Sequence, residues 1–289
     1  MTAHTRKVGN PYNLLDNSDF RNPVNQRGGS THTASGVAKY TIDRWDMNVN
    51  VESVTCVSNG VQVTAKTEAN GFFRTFLEHS VLLGKTYTFA VKTSDGELVI
   101  CSGTYPASIP SSELIMAQAG SNDSKINIYF SAQPSRGSCQ IRVNNGSTVI
   151  IEWAALYEGE YTAETLPEYQ PKGYAAEYDE CTRYFYRLKA YWKYAFTGMC
   201  TSATNAEITI PIPQRMRIEP TMTISDTSLV KIKCGNTGVQ APSADAYSKF
   251  MFASGNAICL GVKVSGATAG SAAIMYFDNG GTIDFSADL

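Results

Sequence analysis

The stretch PKGYAAEYDECTRYFYRL, residues 171–188, carries the one clear helical pattern in a sequence otherwise rich in strand-forming residues. Apolar or aromatic side chains recur at Tyr178, Cys181, Phe185 and Leu188, and this 3-4-3 spacing places all four on one helical face. Glu177, Asp179 and Glu180 come before Arg183, Arg187 and Lys189, an order that suits the helix dipole. The sequence therefore predicts one short α-helix between two β-rich halves.

Outside this stretch, short runs of β-branched and aromatic residues are separated by turn residues. This density of strands without intervening helices predicts an all-β fold of two antiparallel β-sandwiches. Asp278-Asn279-Gly280-Gly281 has the composition of a hairpin turn and predicts that the last two strands pair directly. The clearest predicted strands are 61–67, 72–77, 86–92, 98–102, 125–130, 148–157, 191–196, 208–213, 221–225, 229–233, 248–252, 258–264, 273–277 and 282–286.

The domain organisation follows from this pattern. Residues 166–173 contain two prolines and a glycine, as a linker would. We expect a flexible segment over 1–12, a first β domain over 13–165, a linker and helix over 166–189, and a β-sandwich head domain over 190–289.

Overall composition excludes several classes of function. With a net charge of −2 over 289 residues, the chain lacks the basic footprint of a nucleic-acid-binding protein. No apolar run approaches the length needed to cross a bilayer, so we expect no membrane insertion. The first residues lack the apolar core of a secretory signal.

The seven cysteines are scattered, odd in number and without a Cys-x-x-Cys pair. This pattern is not that of a zinc site or a disulfide framework. Most of them fall in apolar strand patterns, where cysteine acts as a small hydrophobic residue. We expect seven free thiols in a chain made in a reducing cytoplasm.

Motifs for catalysis are missing from the sequence: there is no nucleophile elbow, no His-Glu-x-x-His and no phosphate-binding glycine loop. Asp43, Asp46, Glu152 and Glu158 could pair across a sandwich face, but we expect solvated surface carboxylates. We therefore predict that the protein is not an enzyme.

Sugar recognition by β domains uses an aromatic ring stacked on the sugar face, with planar polar groups nearby. The candidate residues are Trp45, Trp192, Tyr194 and Tyr247. Packing in the core competes with sugar contact at Trp45, and core or subunit contact competes at Trp192 and Tyr194. Trp153 lies in an apolar run, and we expect it to be buried in the core.

Several segments together resemble tail-tip and tail-fibre proteins of bacteriophages and prophages. The resemblance rests on residues 13–20 (NLLDNSDF), 22–28 (NPVNQRG), 40–45 (YTIDRW), 152–159 (EWAALYEG) with 180–185 (ECTRYF), and the closing 283–289 (IDFSADL). It covers both ends of the first domain, the helix and the last strand, and little of the variable middle.

The resemblance implies a carbohydrate-binding-module-like jelly roll, then a jelly-roll-like distal head that contacts the bacterial surface. Such proteins are usually homotrimers, assemble with other tail or baseplate proteins, and reside in the virion tail after synthesis in the bacterial cytoplasm. Related sugar-binding jelly rolls often carry an acidic residue after the opening Phe20 that helps to hold a structural calcium ion. Arg21 occupies that position here, so we expect no cofactor unless Asp19 and backbone carbonyls hold calcium.

The function expected from the sequence is therefore non-enzymatic adhesion to a bacterial surface glycan. The alternatives are a structural baseplate or fibre connector that binds no sugar and, ranked last, a glycan depolymerase. If the chain forms a trimer, the helical face of Tyr178, Cys181, Phe185 and Leu188 is the predicted subunit seam. The competing interpretation is that this face packs on its own chain.

Overall fold

The computed structural model describes residues 12–121, 124–189, 193–235, 239–240, 247–251, 257–278 and 280–289, with backbone alone for 193–195, 239–240 and 247–251. The predicted flexible segment 1–12 lies outside these residues except for Tyr12. The chain divides into two compact units. The first runs to Tyr178 and includes Leu289, and the second is Asp179–Asp288.

The first unit is a β-sandwich of two six-stranded antiparallel sheets. The first sheet has the order β1-β4-β5-β12-β7-β8 and the second the order β2-β3-β6-β11-β10-β9. A single 3-10 turn, His79–Val81, follows β6. The strands are β1 Thr31–Thr33, β2 Lys39–Tyr40, β3 Trp45–Met47, β4 Val51–Val57, β5 Gly60–Ala65, β6 Gly71–Leu77, β7 Thr86–Thr93, β8 Leu98–Thr104, β9 Leu114–Ala119, β10 Ile126–Ala132, β11 Gly137–Val143 and β12 Thr148–Glu158.

The core of the first unit lies between its two sheets. Val63, Phe89 and Ile151 enter it from the first sheet, and Phe73 and Phe130 enter it from the second. All five side chains are fully buried. Since inward and outward side chains alternate along a strand, this core also determines which residues lie on the two outer faces.

The opening segment of the first unit is fixed by two asparagine side chains. Asn13 accepts a hydrogen bond from the backbone N–H of Leu156 (2.9 Å) and donates to the carbonyl of Ala154 (3.2 Å), both in β12. Asn17 adopts a left-handed backbone conformation with φ 53° and donates to the carbonyls of Val24 and Asp43. Residues 13–24 are therefore an integral part of the sandwich.

The predicted helix is shorter than its sequence pattern suggests. The helix α1 covers Tyr174–Thr182, and residues Phe185–Lys189 form a strand, β13. The extension of the helix to Leu188 was therefore wrong. β13 pairs with the last strand of the chain, Thr282–Ser286, and Arg187 meets Asp284 there with a 2.7 Å hydrogen bond. Phe185–Lys189 form a strand because they include residues of high strand propensity and because β22 is available as a pairing partner.

The second unit is also a β-sandwich, with a three-stranded sheet of order β13-β22-β16 and a seven-stranded sheet of order β18-β17-β21-β14-β15-β20-β19. Its core contains Ile283 and Phe285 from the smaller sheet and Ile208, Ile232 and Met275 from the larger. Its further strands are β14 Lys193–Cys200, β15 Asn205–Pro211, β16 Thr221–Ile224, β17 Val230–Cys234, β18 Val239–Gln240, β19 Tyr247–Met251, β20 Ala257–Lys263, β21 Ala272–Phe277 and β22 Thr282–Ser286.

The predicted all-β fold of two antiparallel sandwiches is confirmed, and every strand of the sequence prediction overlaps an observed strand. The predicted hairpin between the last two strands was wrong. Gly281 closes a turn by donating to the carbonyl of Asp278 (3.0 Å), but β21 and β22 belong to different sheets. The turn therefore carries the chain from one layer of the sandwich to the other.

Candidate functional site

The outer face of the second sheet of the first unit carries a row of polar and aromatic side chains. Strand pairing puts five residues in register across five strands, β3, β6, β11, β10 and β9. Their neighbours along each strand, such as Phe73, Ile141 and Phe130, point into the core, so the row lies on the opposite face. In spatial order the row is Asp46, Arg74, Gln140, Tyr129 and Gln118. We call it the polar row.

A shorter row lies beside it on the same face. Phe72, Arg142 and Asn127 are opposite one another on β6, β11 and β10. The rings of Phe72 and Tyr129 are 6.3 Å apart at 51°, and the guanidinium carbon of Arg142 is 5.7 Å from the centroid of the Tyr129 ring. Tyr129 is thus the aromatic residue around which both rows meet.

A cleft of about 410 Å³ opens where β9 turns towards β10. Gly120 permits the close approach of the two strands, because it has φ +108° and a Cβ there would be 2.7 Å from the side-chain oxygen of Asn127. Asn127 in turn donates to the carbonyl of Ser121 (3.2 Å). The described lining residues are Gln118, Ala119, Gly120, Ser121, Asn127, Tyr129 and Arg142. We call this the β9–β10 cleft.

Three side chains of the cleft are available to a ligand. Tyr129 and Arg142 are half-buried and Gln118 is exposed. Within the described part of the chain, none of the three makes a side-chain hydrogen bond or ion pair, and the Nε of Arg142 is buried without a hydrogen-bond partner. A phenol, an amide and a guanidinium therefore face one cleft with unused hydrogen-bonding capacity.

Two carboxylates elsewhere on the outer face are hydrogen-bonded to protein side chains. Arg74 donates to both carboxylate oxygens of Asp46, at 2.9 and 2.7 Å. Glu113 accepts hydrogen bonds from Ser131 (3.1 Å) and Gln140 (3.3 Å). Asp46 is therefore neutralised by Arg74, whereas Glu113 keeps its charge and is held by neutral hydrogen-bond donors.

Trp45 is not the sugar platform that the sequence suggested. Its side chain is fully buried, its ring stacks on Phe73 at 4.9 Å, and Phe20 meets it edge-on at the same distance. Its Nε1 donates to the backbone carbonyl of Asp16 (3.3 Å). Because the protein covers its whole side chain, Trp45 is a core residue of the first unit.

The other sugar-binding candidates fall outside the described side chains. Trp192 lies outside the described residues altogether. For Tyr194 and Tyr247 the backbone alone is described: Tyr194 pairs with Tyr276 across β14 and β21, and Tyr247 with Val262 across β19 and β20. The prediction that these three residues contact sugar stays a prediction.

The predicted subunit seam does not form one face. Tyr178 and Cys181 lie in α1, whereas Phe185 and Leu188 lie in β13. Cys181, Phe185 and Leu188 are 0%, 3% and 6% exposed in the single chain, so they are not available to a second copy. Leu188 belongs to the core of the second unit. The competing interpretation, that these residues pack on their own chain, fits the structure.

Trp153 was expected in the core, and this was wrong. It is half-buried on the outer face of the first sheet, where Tyr169 from the predicted linker stacks on it with ring centroids 4.7 Å apart at 6°. Burial raises the pKa of Tyr169 well above its usual value. Lys172 also reaches back, to the carboxylate of Asp16 (3.2 Å). The segment 166–173 is therefore anchored on the first sandwich.

The structural calcium site implied by the resemblance does not fit the residues present. The Nε of Arg21 donates to the carboxylate of Asp19 at 2.7 Å, and the pKa of Arg21 is raised mainly by this bond. A cation therefore already pairs with Asp19, the carboxylate that the resemblance would make a calcium ligand. The expectation of solvated carboxylates was also wrong for Asp43 and Asp46, which are 0% and 6% exposed.

All seven cysteines are free, as predicted.

No family model, curated protein or solved structure matches this chain. None of the helices in the described residues has the length and apolar character required to span a membrane.

Proposed function

We propose that this protein is a bacteriophage tail-fibre or tail-tip protein that adheres, without enzymatic action, to a bacterial surface glycan through the β9–β10 cleft. The observation that carries the proposal is the position of Tyr129. Its ring is half-buried in an open cleft of about 410 Å³, with Gln118 beside it in the polar row and Arg142 5.7 Å away.

The chemistry of this arrangement suits a sugar. The C–H face of a pyranose ring is apolar and stacks on an aromatic ring, while its hydroxyl groups need planar donors and acceptors at the rim. Gln118 and Arg142 supply an amide and a guanidinium group around Tyr129. A ligand that left these groups unpaired would lose affinity, so the cleft selects polar rings over purely apolar ones.

The assignment to a virion rests on the resemblance of the opening segment, the helix region and the closing strand to tail proteins. Each of these segments is held within its own unit: residues 13–24 are hydrogen-bonded to β12, and the closing strand β22 pairs with β13. Other tail or baseplate proteins are the proposed partners, and a homotrimer whose seam lies elsewhere is the proposed assembly.

The test is binding of the purified full chain to an array of bacterial O-antigens, capsular polysaccharides and teichoic acids. We expect retention of the wild type on a subset of these glycans and loss of that retention in Tyr129→Ala. Retention of no glycan would favour the structural connector. Release of reducing ends from a bound glycan would instead identify a depolymerase.

A further inference from the structure

The described lining of the β9–β10 cleft carries one positive charge. Arg142 is the only charged residue among those described as lining it. The two other arginine side chains on β6 and the loop before β11 are engaged elsewhere: Arg74 with Asp46, and Arg136 with the Phe76 ring at 3.5 Å and the side chain of Gln133. Arg142 contacts the Tyr129 ring but makes no ion pair or side-chain hydrogen bond within the described part of the chain.

The surroundings of Arg142 make an unpaired charge costly. The side chain is half-buried and its Nε is buried without a hydrogen-bond partner, while Tyr129 and Phe72 are its aromatic neighbours. A guanidinium in such a place is stabilised by an anion that accepts two parallel hydrogen bonds, and carboxylates have that geometry. A neutral hydroxyl group would accept one hydrogen bond from the Arg142 guanidinium but would not neutralise its positive charge.

From this geometry we infer that the glycan bound in the β9–β10 cleft is acidic, with a uronate-type carboxylate paired to Arg142 while the ring of the same sugar residue lies on Tyr129. The inference rests on the proposed function and specifies its substrate class. The 5.7 Å between the guanidinium carbon and the ring centroid brings both groups within reach of one monosaccharide. Gln118 then binds hydroxyl groups, and no acidic residue among the described lining repels the carboxylate.

The experiment compares native and charge-neutralised forms of the same polymers. The probes are heparosan and polygalacturonate, their carboxyl-reduced or fully methyl-esterified counterparts, and dextran as a neutral control. The proteins are the wild type, Arg142→Gln, Arg142→Lys, Tyr129→Ala and Arg215→Gln, an exposed arginine of the second unit that serves as the matched control. Dissociation constants are measured at low and high salt.

We expect the wild type to bind at least one acidic polymer about tenfold or more tightly than its neutralised form, with affinity that falls as salt rises. Arg142→Gln should bring both forms to the same weak affinity, Arg142→Lys should retain part of the preference, and Arg215→Gln should change nothing. If Arg142→Gln does not fold, the salt dependence and the Arg142→Lys result still decide the question.

Two results would overturn the inference, and they differ in what they imply. Equal binding of acidic and neutralised polymers, with loss of both in Tyr129→Ala, would contradict an acidic ligand and leave the proposed function standing. Failure of the wild type to bind any polymer, together with no retention on the bacterial glycan array, would contradict both.

Discussion

Arg142 and Tyr129 lie side by side on neighbouring strands, with the guanidinium carbon 5.7 Å from the ring centroid and no ion pair to Arg142 in the described part of the chain. Arg74 lies on the same face, on strand β6 next to β11. Its Nε and one terminal nitrogen both donate hydrogen bonds to the carboxylate of Asp46. Two arginines on one sheet thus differ: Arg74 is paired with Asp46, and Arg142 is the one to which we assign a ligand in our proposal.

The Asp46–Arg74 pair should stabilise the first unit. Replacing Asp46 by Asn leaves a partly buried guanidinium without its counter-charge, and we expect the free energy of unfolding to fall by about 2 kcal/mol. Asp19→Asn is the control, because its partner Arg21 is 43% exposed and a surface pair contributes less than about 1 kcal/mol. Urea denaturation measures both, and equal effects of the two variants would contradict the assignment.

The residues of the predicted subunit seam should stabilise the folded chain instead. Leu188→Asp buries a charge in the core of the second unit, and we expect destabilisation of at least about 3 kcal/mol. Lys263→Asp, at an exposed position on β20 of the same unit, should change stability by less than about 0.5 kcal/mol. Thermal melts followed by circular dichroism make the comparison. A Leu188→Asp protein that melts like the wild type but has a smaller mass in solution would restore the seam.

The segment 166–173 should resist proteolysis despite its linker composition. Tyr169 stacks on Trp153, and the side chain of Lys172 is 8% exposed next to Asp16. Trypsin should therefore cut slowly after Lys172 in the native protein. Tyr169→Ala removes the stack and should speed this cleavage at least about fivefold, as measured by mass spectrometry of timed digests. Rapid cleavage of the wild type at Lys172 would show that the anchor does not hold in solution.

The contribution of Asp95 and its partners Thr93 and Lys125 to stability should fall at acid pH. Hydrogen bonds from Thr93 and Lys125 lower the pKa of Asp95 from 3.8 to about 2. A lowered pKa contributes stability that is present above pH 3.8 and is lost as the pH falls towards 2. The stability difference between wild type and Asp95→Asn should therefore shrink across this range, and it should be small throughout because the carboxylate is half-exposed. A difference that grows as the pH falls would contradict the assigned sign.

The thiols should be slow to react in the native protein. Burial raises the pKa of Cys101 to about 12 and that of Cys139 well above its usual range. Cys56 is the one half-buried cysteine, so it should react first with a thiol reagent at neutral pH. Denaturation without reductant should expose seven thiols. A count below seven on the denatured, unreduced chain would reveal disulfides.

The sequence predicted the fold well where hydrophobic periodicity was unambiguous. Tyr87, Phe89 and Val91 alternate along β7 and are buried, and the strand at 125–130 was recognised with Tyr129 inside it. It failed at residues 183–188, where aromatic residues fit both a helical and a strand pattern and pairing with β22 decides between them. It also failed at the last turn, since local turn chemistry does not specify the sheet to which the next strand belongs.

The candidate site could be predicted only in part. The run GSCQIRV, residues 137–143, alternates apolar residues with Gln140 and Arg142, and this signal would have revealed β11 and its outward side chains. The meeting of Arg142 with Tyr129 and Gln118 depends on the pairing of three strands, which one sequence does not specify. The tryptophans did not indicate the candidate sugar site. Trp45 is buried in the core, and the ring of Trp153 is stacked against Tyr169.

The most direct test of glycan binding through the β9–β10 cleft is a calorimetric titration of an array-selected glycan into the wild type, Tyr129→Ala and Tyr174→Ala. Tyr174 is 49% exposed at the start of α1 and is the matched control for loss of an exposed ring. We predict that Tyr129→Ala weakens binding at least about tenfold, or 1.4 kcal/mol, while Tyr174→Ala binds as the wild type does. Unchanged affinity in a folded Tyr129→Ala protein would contradict the proposed site.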